Sequence, residues 1–332
     1  MAAQEWLERL RTAEPEVHGP APDEWYGRLE REHEELGSAI AWLSDNGRAS
    51  DAVEVCAIVW PYWMDRGHLE EGRALFALAL TGDAPSPARA RALHGAGVLA
   101  FRQGDTEAAT ACHEGAIDLA RASGDKVAEG RALGGLARVE LRNADFAAVR
   151  RLAEESLTAF AEAGDEMGRS SSTHVLAYVT MMEGDDREAA RLFRESLELN
   201  RTLGRGDMFP VELANIASCE RRLGNLSEAK ALADESMRLA AERRSSYMLP
   251  YNLVDSGGIA LAMGEVDRGV RLLAAGDAAF KATGAVFDPG VVAQFEEDCR
   301  AARAALGDGF ASVWSEGAAL AMDDAVSYAL SE

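Results

Sequence analysis

Six histidines, His18, His33, His68, His94, His113 and His174, are the side chains of this sequence best suited to metal binding or proton transfer. Their spacing argues against a zinc site. No HxxxH or HExxH pair occurs, so no two imidazoles share a helical face one turn apart. Cys112 and His113 are adjacent and point to different faces of a helix. Ser170-Ser171-Ser172 with His174 offers a nucleophile and a base, but at an expected helix start, where hydroxyls serve as caps. GxSxG is absent. Asp185-Asp186 and Asp323-Asp324 fall at turns, where carboxylates cap helices, and sequence does not separate such pairs from a glycosidase pair. No GxxxxGK[ST] phosphate loop exists, and none of Lys126, Lys230 and Lys281 follows a glycine-rich loop. No catalytic residue, no metal and no cofactor is therefore expected.

The composition points the same way. Of 332 residues, 34 are basic and 56 acidic, for a formal charge of -22. Such a field repels phosphate backbones, so nucleic acid is not expected as a partner of this chain alone. Cys56, Cys112, Cys219 and Cys299 form no CxxC pair and read as small buried hydrophobes in a reducing compartment. With no signal peptide and no apolar run of membrane-spanning length, a cytoplasmic protein with no membrane partner is expected.

The elements that would position any site follow from a 40-residue period. Gly104, Ala144, Gly184, Gly224 and Gly264 recur at that spacing, each followed by a polar helix starter: Asp105, Asp145, Asp185, Asn225 and Glu265. Seven residues earlier stand Gly97, Ala137, Ala177, Ala217 and Gly257. Five residues later stand Ala109, Val149, Ala189, Ala229 and Gly269, and twelve later Ala116, Ser156, Ser196, Ser236 and Gly276. Small residues let two helices approach closely, and large aliphatics such as Leu133, Leu152, Leu213 and Leu272 fill the space beside them. Each period reads as helix A, a turn with a left-handed glycine, and a capped helix B. Second turns fall near Ser123-Gly124, Ala163-Gly164 and Thr283-Gly284. Upstream, Trp25–Ser44 and Ser50–Asp65 read as two helices around Asp45-Asn46-Gly47. Downstream, Gly290–Leu306, Gly309–Ala319 and Asp323–Leu330 read as closing helices. The pattern is the tetratricopeptide one with a longer period than usual. The expected fold is all-α: a right-handed α-solenoid of tetratricopeptide-like hairpins with capping helices at both ends. Residues 1–81 are a tryptophan-rich cap with the first degenerate hairpins, 87–284 five repeats, and 285–332 the C-terminal cap, in one continuous solenoid.

The ends carry a more specific likeness. Ala13-Glu14-Pro15-Glu16, His18-Gly19-Pro20, Trp25, Arg28-Leu29-Glu30-Arg31-Glu32-His33 and Ala39-Ile40-Ala41-Trp42-Leu43 form one series. Trp60–Trp63 followed by Arg66-Gly67-His68-Leu69-Glu70-Glu71-Gly72-Arg73 forms another, and Trp314-Ser315-Glu316-Gly317, Leu320 and Asp324–Leu330 a third. Together they resemble the tetratricopeptide region of actinobacterial LuxR-type and antibiotic-regulatory transcription factors built on STAND ATPases. Glu35-Leu36-Gly37 departs from that family's Asn-Leu-Arg. The resemblance implies a sensor or scaffold in transcriptional signalling, coupled to a STAND ATPase module. Five of the six tryptophans, Trp6, Trp25, Trp42, Trp60 and Trp63, lie near the N-terminus. They read either as a packed cap or as a docking face for a preceding domain.

In tetratricopeptide folds one face of the A helices lines a concave groove. That geometry selects Arg91, His94, Val98, Phe101 and Arg102; then Arg131, Gly134, Arg138, Leu141 and Arg142; then Ser171, His174, Tyr178, Met181 and Met182. In the last two repeats it selects Val211, Ala214, Ser218, Arg221 and Arg222, then Tyr251, Val254, Gly258, Leu261 and Ala262. Seven of these twenty-five are Arg and none is acidic, where about four acids would follow from 56 in 332. One reading is a basic groove for a protein, an acidic peptide or a small anionic ligand, since the guanidinium fork pairs carboxylates. The other pairs these arginines with acids on adjacent helices. The functional expectation is a non-enzymatic binding sensor or scaffold. A free-standing adaptor for protein assembly, and more remotely an enzyme on a helical-repeat scaffold, are the alternatives.

Overall fold

The computed structural model describes residues 2–19, 22–81 and 88–331. Met1, Pro20 of the N-terminal likeness and Pro87 at the expected start of the repeats lie outside these. All regular structure among the described residues is helical: eighteen α-helices and two short 3-10 turns. The chain divides into two compact units, residues 1–175 with 203–206, and residues 176–202 with 207–332.

Unit 1 begins with α1 (Ala2–Val17), α2 (Asp23–Arg31), α3 (His33–Asp45), α4 (Ala49–Arg66) and α5 (Leu69–Ala79). The stretch expected as one helix over Trp25–Ser44 is two helices. The break falls at Glu32, whose backbone leaves the helical region (φ -111, ψ 24) and whose carboxylate pairs with Arg9 of α1 and, at 3.4 Å, Arg28 of α2. Helix α1 packs on α3 and α4, burying Leu7, Leu10 and Val17. Trp6 and Trp63 are buried, as a cap requires, whereas Trp42 is 46% exposed. The repeats follow: α6 (Arg89–Arg102), α7 (Thr106–Ser123), α8 (Lys126–Arg142), α9 (Phe146–Ala163) and the first part of α10 (Glu166–Met182). Unit 2 holds the rest of α10, α11 (Asp186–Thr202), α12 (Phe209–Arg222), α13 (Leu226–Glu242), α14 (Met248–Ala262) and α15 (Val266–Thr283). It closes with α16 (Pro289–Leu306), α17 (Phe310–Ala318) and α18 (Met322–Leu330).

Within each unit consecutive helices pair as hairpins, and the small-residue columns form the seams. Ala137, Ala177 and Ala217 are fully buried, as are Ala109, Val149, Ala189 and Ala229 in the facing helices. The tightest seam is α14 against α15. A Cβ on Gly257 would lie 2.9 Å from the Gly269 oxygen and the Leu273 nitrogen, and one on Gly276 2.9 Å from the Pro250 oxygen. The column of Ser156, Ser196 and Ser236 ties each B helix to its neighbouring A helices. Their hydroxyls donate to the Gly130 oxygen at 2.6 Å, the Glu212 carboxylate at 2.7 Å and the Pro210 oxygen at 2.7 Å. A buried hydroxyl satisfied in this way also sets register, because a shifted helix leaves it unpaired.

The turns are more regular than the sequence suggests. Every twentieth residue from 104 to 284 has positive φ: Gly104, Gly124, Ala144, Gly164, Gly184, Gly204, Gly224, Arg244, Gly264 and Gly284. After the turns, Asp105, Asp145 and Asp185 each accept a hydrogen bond from the backbone N–H three residues on, at 3.1, 2.9 and 3.1 Å. Asn225 departs from the capping expectation: its amide donates to Glu220 at 2.6 Å, and it makes no side-chain cap. Ala144 holds φ 56, a conformation in which Cβ crowds the following carbonyl. Ala144→Gly is expected to stabilise the chain by roughly 0.5–1 kcal/mol, read as a higher urea midpoint at unchanged m-value. A lower midpoint would show that the turn is unstrained.

Candidate binding face on the A helices

In unit 1 the selected face of α6 and α8 is lined by Arg91, His94, Phe101, Arg131, Arg138 and Arg142. Arg91 forms an ion pair with Glu14 of α1. Arg102 is buried, and the Arg142 guanidinium lies 4.1 Å over the Phe101 ring, a cation–π contact. Arg131 and Arg138 have no hydrogen-bond or ion-pair partner among the described residues. Desolvation dominates at Arg131 and lowers its pKa from the ordinary arginine value. Asp165, Asp125 and Glu14 pull the other way, and Arg91 adds repulsion. A partly desolvated guanidinium whose acids act only at a distance has room for a direct anionic partner.

Three residues outside the selected set shape this face. The Trp60 ring of α4 meets His18 edge-on at 6.3 Å and His94 at 5.5 Å, and His94 lies 5.3 Å from His113 of α7. His113 reaches between α6 and α8 because both offer glycine there: a Cβ on Gly97 or Gly135 would lie 2.7 or 2.3 Å from its Cε1. Sequence contained a signal for it. His113 stands in the column of Ala153, Phe193, Ala233 and Leu273, all buried, so it is a polar interruption of a core column.

Burial first, and then repulsion by Arg131 and Arg91, lowers His18 to about 4. Burial and Arg138 lower His113 to about 4. Burial, followed by His113, Arg131 and Arg138, lowers His94 well below 6.5. All three imidazoles are therefore neutral in the folded chain at neutral pH.

In unit 2 the same face is occupied by the chain itself. Arg221 makes a bidentate pair with Asp298 of α16, with only 13% and 6% of the two side chains exposed. Arg222 pairs with Asp186 at 2.7 Å. The Tyr251 hydroxyl donates to Asp288 at 2.8 Å, and its ring meets Phe280 at 4.8 Å and Phe287 at 6.2 Å. Tyr178 and Met182 lie against Gly290, where a Cβ would be 2.9 Å from the Tyr178 oxygen and 2.6 Å from the Met182 sulfur. Met181 packs on the cluster of Ala177, Phe193 and Ile216. His174, in unit 1, is buried, and Ser171 beside it accepts from Arg205 at 3.4 Å. The structure thus separates the selected positions. Arg91, Arg221, Arg222 and Tyr251 have carboxylate partners supplied by α1, by the first turn of α11, and by α16 and the residue before it. Those acids lie outside the A-helix positions, so the acid-free count did not see them.

The buried histidines make the stability of unit 1 depend on pH. Between about 4 and 6.5 the unfolded chain binds protons on His18 and His113 and the folded chain does not. Stability is therefore complete above that window and falls as pH drops through it, by on the order of 3 kcal/mol per histidine. Asp255 in unit 2 has the opposite sign. Desolvation raises its carboxyl to about 7 against Arg221 and Arg222, so its contribution is present in acid and lost as pH rises through 7. Melts followed by tryptophan fluorescence, which reports mainly on unit 1, are expected to fall in temperature between about pH 7.5 and about pH 4.5, and His113→Asn to flatten that dependence. An unchanged slope in the variant would mean that His113 is accessible to protons in the folded chain.

Residues 88–162 match the tetratricopeptide repeat family model. No curated protein matches the chain in sequence. Among solved structures, a Rap protein complexed with Competence and Sporulation Factor is similar over 96% of this chain and 95% of its own, at 13% identity and a TM-score of 0.59. The apo form of RapI is similar over 99% and 97%, at 12% identity and a TM-score of 0.50. BtubC from P. vanneervenii is similar over 66% and 91%, at 18% identity and a TM-score of 0.47. The chain is thus all-α, with tetratricopeptide repeats matched over residues 88–162 and a likeness in fold over nearly its whole length.

Proposed function

We propose that the chain is a non-enzymatic, cytoplasmic binding protein whose A-helix face in unit 1 takes an anionic segment of a protein or peptide. Arg131 and Arg138 are its anchors, with His94, Phe101 and Trp60 as the flanking surface. One observation carries the reading: in a chain of charge -22, these two arginines form no ion pair or hydrogen bond with an acid among the described residues, and Arg131 is desolvated. Arg91, Arg221 and Arg222 on the same helix faces are each paired with a carboxylate, which sets Arg131 and Arg138 apart from them. A carboxylate reaching Arg131 would gain a charge-assisted, bidentate contact in partly desolvated surroundings, where such contacts are strong. The Rap protein of like fold, crystallised with Competence and Sporulation Factor, supports the idea that this arrangement of helices accepts a bound factor. The test is the chain with both Arg131→Glu and Arg138→Glu. With far-UV CD unchanged, its affinity for fluorescein-labelled Glu- and Asp-rich peptides is expected to fall about tenfold or more. Unchanged affinity in a folded double variant would sink the proposal.

The likeness at the two ends supports a finer reading, in which the chain is the sensor portion of a LuxR-type or antibiotic-regulatory STAND ATPase regulator. Ligand on the A-helix face would then bias contact with the ATPase module. An in-frame GxxxxGK[ST] loop upstream of Met1 in the gene is the expected finding. A stop codon there would favour a free-standing adaptor instead.

A further inference from the structure

Away from the A-helix face, three helix ends of unit 1 bring two imidazoles and two carboxylates together. His33 opens α3, His68 immediately precedes α5, Glu71 lies in the first turn of α5, and Glu30 lies near the end of α2. The His33 and His68 rings stack with centroids 4.1 Å apart and 28° between planes. One donor atom from each of His33, His68 and Glu71 lies within 4.8 Å of the others. His33 Nε2 is 2.7 Å from Glu71 Oε2, and His68 Nε2 is 3.0 Å from Glu30 Oε2. The side chains are 19% to 48% exposed, so the cluster is open to solvent.

We propose that His33, His68, Glu71 and Glu30 form a binding site for a borderline divalent cation of the Zn2+ class. Two imidazoles and two carboxylates are a donor set that such ions accept, and two carboxylates balance the ion's charge when both imidazoles are neutral. Tetrahedral bonds of about 2.0–2.1 Å place donors about 3.3 Å apart, within side-chain rotation of the spacings here.

Tyr62 of α4 supplies the supporting contact that such sites use. Its fully buried hydroxyl lies 2.9 Å from Glu30 Oε2 and 2.8 Å from His33 Nδ1. When Tyr62 donates to Glu30, its oxygen accepts from His33 Nδ1–H. A cation that takes the place of the proton between His33 Nε2 and Glu71 would then meet the Nε2 lone pair, as in a ligating histidine. Tyr62 is thus a positioning residue rather than a ligand. Spacing hid this group, because the two histidines stand 35 residues apart and on no common helix.

The test is titration of the full untagged chain, stripped with chelator, using Zn2+ against a chromophoric competitor and Co2+ by visible absorption. One ion per chain is expected, with the intense bands of four-coordinate Co2+. His33→Gln and His68→Gln keep a hydrogen-bonding side chain, and each is expected to weaken Zn2+ binding at least about tenfold while the metal-free melt stays unchanged. Tyr62→Phe is expected to weaken it about tenfold without changing the one-to-one ratio. Absence of one-to-one binding, or binding indifferent to both Gln variants, would overturn the proposal.

Discussion

Close approach of two helices within each hairpin is the constraint on which the rest of this structure depends. Backbones come closest where the facing side chains are small, with Val149 the largest side chain in the seam columns. In the α14–α15 hairpin this reaches its limit, with Gly257, Gly269 and Gly276 letting main chain touch main chain. In the other hairpins alanine and serine do the same work at slightly greater separation, and the serine hydroxyl adds a hydrogen bond across the stack. Because dispersion attraction falls steeply with distance, a larger residue in any of these columns would forfeit contacts along a whole seam.

That same seam sets what the A helices can present. With their small residues committed to the B helices, the remaining positions must point away, and they carry the arginines, histidines and aromatics discussed above. His113 is the exception that links the two faces. It comes from a B helix and passes through a gap left by two glycines, so that its imidazole abuts His94. The same close packing that holds the hairpins therefore strips water from the histidines and holds them neutral.

The two ends of the chain treat this face differently. At the C-terminal end, α16 and the residues before it lie on the A helices, and Asp288 and Asp298 satisfy Tyr251 and Arg221. Breaking such a buried pair costs about 3–5 kcal/mol, so this contact belongs to the stability of unit 2. At the N-terminal end α1 brings Glu14 to Arg91, and the residue after it, His18, meets Trp60. Among the described residues, neither Arg131 nor Arg138 forms an ion pair with it, and Glu14 acts on Arg131 only at a distance.

Much of the architecture was legible in the sequence, because hairpin packing is local and periodic. The 40-residue recurrence, the small columns and the turn glycines are each short-range requirements repeated in order, so they register as columns. The break at Glu32 was not legible. No glycine or proline marks it, and the Arg9 contact that Glu32 makes there comes from another helix. The composition of the candidate face was readable by the same periodicity, but its electrostatics were not. Whether an arginine is neutralised depends on acids at large separations, such as Glu14 for Arg91 and Asp298 for Arg221, 77 residues away in each case. The sequence alone therefore determined the helical hairpins and which side chains share a face. Only the tertiary structure decided which of those side chains meet a partner, and which imidazoles from separate helices stand together. Charge pairing and ligand geometry act through space, and chain spacing records them only when both partners ride on one element.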